Sequence, residues 1–255
     1  MQSSNPVLTR LGETASRERV GGGYGYGPVS ERMMSLDDVV VRTIGLLALT
    51  AISAAVSWNV LTGVTAAVAS FGSVLAGLVL CLVITFARVT NPLVIGAYAV
   101  VEGVFLGVVS RTFEARFGGI VVQAVVGTLG VFAGMAMLYK MRVLRATPRF
   151  NRFVIGALIG VVVLSLVNWV VYMFGGNLGL IDYNVEGPRR FLPIIFSLVC
   201  IAVGALTFII DFDQIERGVR YGMPEKYAWY CAFGLLVGLI YLYWQILRLL
   251  GYMRR

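Results

Sequence analysis

Seven long apolar stretches, separated by short polar ones, occupy most of the chain. They run over about 39–61, 65–87, 93–112, 119–140, 151–174, 192–212 and 226–250. Each is long enough to cross roughly 30 Å of hydrocarbon as an α-helix. The pattern predicts an all-α integral membrane protein, a seven-transmembrane-helix bundle. Helix punctuation falls where the apolar runs begin. Ser35 with Asp38 reads as a capping box, and Asn91-Pro92, Thr147-Pro148 and Met223-Pro224 each put proline at a first helical position. The seventh stretch is polar towards its end (Tyr241, Tyr243, Trp244, Gln245, Arg248), which suits an interface or a helix that crosses only in part. Four Gly-x-x-x-Gly pairs lie inside spans: Gly103/Gly107, Gly130/Gly134, Gly156/Gly160 and Gly234/Gly238. Small residues at this spacing let helices approach closely in lipid, although a chain with 30 glycines produces such pairs readily by chance.

Ahead of the first span, residues 1–34 are polar and Gly-rich, with G-G-G-Y-G-Y-G-P at 21–28. They lack the apolar core of a signal peptide and predict a disordered cytoplasmic lead-in, leaving 35–255 as the seven-helix domain. Composition agrees with this division. Hydrophobic residues make up 58% of the chain and charged ones 13%, about half the share with which a soluble domain covers its surface. The net charge of +8 is spread between the spans rather than clustered, so it reports membrane topology and not nucleic acid. Fourteen Lys and Arg fall in the regions that share a side with the N-terminus and seven on the other. The positive-inside rule therefore predicts a multi-pass protein of the cell (plasma or inner) membrane with its N-terminus cytoplasmic. Arg248, Arg254 and Arg255 weigh against it unless the last helix crosses only in part.

Histidine is absent from the sequence. That excludes histidine zinc sites, Ser-His catalysis and histidine proton relays, so any pH sensing must use carboxylates. Cys81, Cys200 and Cys231 sit singly in apolar runs and suggest neither a disulfide framework nor a zinc site. No catalysis and no resident cofactor are expected.

The candidate chemistry lies in the few charges within or beside spans. Residues 206–220 read L-T-F-I-I-D-F-D-Q-I-E-R-G-V-R. Asp213 with Arg217, Glu216 with Arg220, and earlier Asp38 with Arg42 are acid-then-base pairs on one helix face, and local pairing explains them. Asp211 differs, because Thr207 and Ile215 stand four residues either side of it. Glu102, in V-V-E-G-V-F-L-G, has Tyr98 and Leu106 at those offsets. These two acids need distant partners, water or a proton. Asp211 also falls at the C-terminal end of its helix, where the helix dipole is negative and disfavours a carboxylate. The plainer alternative is a structural pairing of Asp211 with a basic loop residue such as Arg88.

D-F-D-Q-I at 211–215 resembles the D-x-x-Q-I motif that ends the sixth helix of the Bax inhibitor-1 (transmembrane Bax-inhibitor-motif) family. Q-I-L-R-L-L-G at 245–251 is similar to its closing motif, and V-E-G-V-F-L-G to its third-helix signature. The resemblance spans roughly 39–251, and S-N-P-V with P-E-K-x-A-W at 224–229 looks like an actinobacterial branch. It implies a protein that leaks calcium down its gradient in a pH-dependent way. In the family, aspartates from the last two helices pair in the closed state, and an arginine near the end of the second helix engages the first of them on opening. Asp211 matches the first aspartate and Arg88 the arginine. The place of the second falls on Gly238, and no carboxylate occurs from 226 to 255.

The reading is a pH-sensitive calcium or cation leak conduit. Asp211 is central, Asp213, Glu102 and Glu216 are auxiliary acids, Arg88 is counter-ion, and Gly234 and Gly238 are helix-packing positions. Its partners are the bilayer and calcium or protons, with a transient calcium at Asp211 and no firm metal site. The alternative is a non-conducting membrane regulator that binds a membrane protease or a stress or cell-death partner.

Overall fold

The computed structural model describes residues 32–176, 178–180 and 191–254. The lead-in expected over 1–34 lies outside the described residues up to residue 31. Among the described residues there are seven α-helices: α1 Leu36–Val60, α2 Gly63–Ala87, α3 Pro92–Arg116, α4 Ile120–Lys140, α5 Pro148–Met173, α6 Phe191–Arg220 and α7 Tyr227–Met253. At about 1.5 Å per residue they are roughly 30 to 45 Å long, and all seven are long and apolar enough to cross a membrane.

The helices begin where side chains can satisfy their first amides. Asp38 accepts from the Ser35 amide at 2.9 Å while Ser35 Oγ accepts from the Asp38 amide at 3.1 Å, closing the capping box. Asn91 Oδ1 accepts from Leu93 N at 2.9 Å ahead of α3, and Thr147 Oγ1 from Phe150 N at 3.2 Å ahead of α5, each with proline opening the helix. Pro224 departs from the expectation. It lies in the turn before α7, where it forms an isolated antiparallel bridge with Met33, and the helix itself starts at Tyr227. Buried hydroxyls turn back onto their own helix: Thr43, Thr50 and Thr128 donate to the carbonyls of Val39, Leu46 and Ala124. No helix therefore carries these donors bare into hydrocarbon.

Successive helices run antiparallel, so the bundle has two ends. The start of α1 shares one end with the α2–α3, α4–α5 and α6–α7 turns, and the C-terminus lies at the other. The seventh helix is the correction to the sequence reading. It is a full-length helix at the centre of the fold, with Ala228, Ala232, Leu236, Leu242 and Leu247 all fully buried. Its polar end packs against the neighbouring helices. Trp244 packs on Phe105 and Phe113 of α3, and the Tyr243 hydroxyl meets Ser110 Oγ at 2.6 Å.

Of the four Gly-x-x-x-Gly pairs, Gly103/Gly107 is the full packing notch. A Cβ on Gly103 would stand 2.5 Å from the Thr50 carbonyl oxygen, and one on Gly107 would collide with Ser57 and Ala54, so α3 lies backbone to backbone on α1. Gly130, Gly134, Gly156 and Gly160 have nothing within 4 Å of a Cβ position.

Candidate functional site

The acidic end of α6 shows how local sequence settles most of its charges. Arg217 meets Asp213 at 2.5 Å. Arg220 pairs with Glu216, which also takes the Tyr139 hydroxyl from α4. These pairs carry the helix well past its apolar run, to Arg220. Asp211 consequently lies about two and a half turns inside α6, and not at its end as the apolar run suggests. The dipole acts only within the last turn, so it does not bear on this carboxylate.

Asp211 is half-buried. Its side chain lies within electrostatic reach of the Cys231 thiol on α7, and no ion pair from any described residue reaches it. Thr207, one turn earlier, spends its hydroxyl on the Gly204 carbonyl at 2.7 Å. Beside it, Phe208 and Phe212 pack edge-on against Phe132 of α4, with ring centroids 5.1 and 5.6 Å away. The arrangement is a lone carboxylate next to an aromatic wall, between neutralised acids and the central helix.

The other expected residues are dispersed. Glu102 lies beside the Tyr98 hydroxyl, near Cys81, and its Oε1 would be 2.7 Å from a Cβ on Gly77, so it belongs to the α2–α3 contact and not to Asp211. Arg88 caps α2 in a left-handed conformation (φ 49, ψ 46), is exposed, and makes no ion pair with Asp211. Gly238 faces Phe208, whose Cε1 would be 2.8 Å from an added Cβ. The position to which the resemblance assigns a second aspartate is therefore filled by a ring, one turn from Asp211. The packing expected at Gly234 is not there, since nothing lies within 4 Å and the residue is exposed. The expected Asp38–Arg42 pair is also replaced. Asp38 closes the cap of α1, while Arg42 reaches across to Glu225, at 2.5 Å from Oε1 and 2.6 Å from its carbonyl, and stacks over Trp229 at 5.2 Å.

The sequence reading missed Arg248, which it placed at an outer end. Arg248 is 6% exposed, and Asn168 of α5, Ser197 of α6 and Gln245 of α7 are likewise at least nine-tenths buried. Its signal was the isolation of one cation among apolar residues in Q-I-L-R-L-L-G.

Among the described residues no group of three or more His, Cys, Asp or Glu is placed to hold a metal ion. Comparison with known proteins bears on this arrangement. An "Uncharacterized protein" of Chlamydia muridarum (strain MoPn / Nigg) is 26% identical over 174 residues, covering 64% of this chain and 66% of the relative, just under two thirds of its length. The family described as Bax inhibitor 1 like matches residues 5–255, nearly the whole chain. The seven apolar helices and that match together make this chain a multi-pass membrane protein that belongs to the Bax inhibitor 1 like family.

Proposed function

We propose that the protein is a pH-sensitive leak conduit for calcium or a similar cation, in which the charge state of Asp211 controls passage. The observation that carries this reading is the solitude of Asp211 within α6, beside Cys231 of α7, while Asp213 and Glu216, two and five residues on, are held by arginines. Hard cations take oxygen ligands, and an ionised carboxylate without a cation of its own can attract one, while its protonated form cannot. Asp213 and Glu216 then tune the field at the mouth, and Glu102 remains an auxiliary acid between α2 and α3. Arg88 acts as counter-ion only in another conformation, in which the end of α2 moves towards α6. The N-terminus lies in the cytoplasm, supported by the fourteen-to-seven division of Lys and Arg.

The test is calcium flux in proteoliposomes across a pH series. Asp211→Asn removes most of the pH dependence. Asp213→Asn, with Arg217 beside it, changes it little. A single dominant titration is expected, because no second aspartate shares the proton. Wild-type pH dependence in Asp211→Asn would make Asp211 a structural anchor. Absence of flux from the wild type would favour a non-conducting regulator of a membrane protease or stress partner.

A further inference from the structure

A second polar centre lies at the opposite end of the bundle from Asp211. Asn168, Ser197, Gln245 and Arg248 lie within about two turns of the end of α5, the start of α6 and the end of α7, with α6 packed on both of the others. Arg248 donates to the Tyr252 hydroxyl at 3.3 Å, and its guanidinium lies over that ring at 5.8 Å, so one face is covered. Much of the rest is unsatisfied. Asn168 Oδ1, Ser197 Oγ and Arg248 Nε are buried and have no hydrogen-bond partner among the described residues, while the Tyr241 hydroxyl lies between Gln245 and the Cys200 thiol. Tyr241 joins the group through α6: its ring lies against Gly204, and its hydroxyl and the Arg248 charge both act on Cys200, one turn from Ser197. Asn168 lies two turns beyond Val161, which packs with Phe196 and Cys200 of α6.

Such a set is costly if nothing fills it. A buried hydrogen-bonding group left unpaired is destabilising, and an uncompensated buried cation more so. Among the described residues no carboxylate lies within 4 Å of Arg248. The unpaired groups include a guanidinium N–H, a hydroxyl able to donate, and an amide whose oxygen and nitrogen can exchange places by rotation. Guanidinium edges match the oxygens of phosphate in fork geometry.

We propose that this centre is an anion-binding site for a phosphate-type oxyanion, centred on Arg248 and Ser197, with Tyr241, Gln245 and Asn168 nearby. The anion comes from an acidic lipid headgroup or from free phosphate, since both present the same oxygens. Its binding closes the α5–α6–α7 contact at this end, and this is independent of whether Asp211 gates a cation.

The full chain in a neutral detergent is titrated with sodium phosphate, short-chain phosphatidylglycerol or phosphatidylcholine at fixed ionic strength. The midpoint of thermal unfolding serves as the readout, because a ligand that binds the folded form raises it with concentration. Phosphatidylglycerol, phosphate or both raise the midpoint, and phosphatidylcholine does not. A response to phosphatidylglycerol alone assigns the site to a headgroup, and any response to phosphate assigns it to a soluble anion as well. Arg248→Gln weakens the response about 30-fold or more, Ser197→Ala about 2- to 10-fold, and Arg248→Lys to a degree between them. No response to either anion, an equal response to phosphatidylcholine, or an undiminished response in Arg248→Gln overturns the proposal. Where Arg248→Gln does not fold, unchanged responses in both Ser197→Ala and Arg248→Lys do so.

Discussion

Gly234 and Gly238 stand one turn apart on α7 and meet opposite surroundings. Gly238 lies under the ring of Phe208, which has no exposed surface, whereas a side chain at Gly234 would enter open space. Gly238→Leu must push Phe208 out of the wall it forms with Phe132, at a cost of about 1–3 kcal/mol. Gly234→Leu stays within about 0.5 kcal/mol. Thermal unfolding in detergent separates the two, and equal midpoints would show that Phe208 moves aside without strain. A carboxylate at 238 meets the same ring, so adding one by substitution displaces Phe208 before it reaches Asp211. Sequence identified Gly238 as a packing position but gave Gly234 the same role, because the spacing of small residues does not say which face a partner helix covers.

The helices were legible because length and hydropathy alone decide whether a segment can cross a bilayer. Their ends and interior contacts were less so. The apolar run of α6 stops near Phe212, yet the helix continues to Arg220 on its own Asp213–Arg217 and Glu216–Arg220 pairs. Charge was read as a stop where it is a continuation. Arg42 shows the reverse error. A same-helix partner four residues away was available, but the fold gave Arg42 a better one in Glu225, 183 positions along the chain, with a carbonyl and the Trp229 ring beside it. This contact ties α1 to the turn before α7. Just ahead of α1, the Met34 amide donates to the Met223 carbonyl at 2.8 Å, and the Met34 side chain is buried near Gly218. Arg42→Ala therefore speeds hydrogen exchange at the Met34 amide by roughly tenfold or more, as expected for the loss of about 1.5–3 kcal/mol of charge-assisted bonding. Glu225→Ala, which leaves the carbonyl and the ring, has a smaller effect. Unchanged exchange in Arg42→Ala would show that the bridge at Met33 holds the segment by itself.

At the scale of the whole molecule, the two ends of the bundle must face opposite sides of the membrane. Val143, exposed in the α4–α5 turn, and Gly118, in the α3–α4 turn, lie at opposite ends. In a background without Cys81, Cys200 and Cys231, a membrane-impermeant maleimide applied to intact cells labels Gly118→Cys and spares Val143→Cys. The reverse pattern would invert the orientation. The helices also share the interior unequally. Just over half of the most apolar window of α7 is buried, 56%, against 17% for α2 and for α5. Lipid rather than protein surrounds most of those two helices, so almost any apolar side chain meets their requirement. Their sequences are consequently free to drift among greasy residues, while α7 can change only in step with the neighbours it touches. Two chains that diverged long ago from a common bundle would keep their likeness longest along α7 and lose it first on the helices that face the acyl chains.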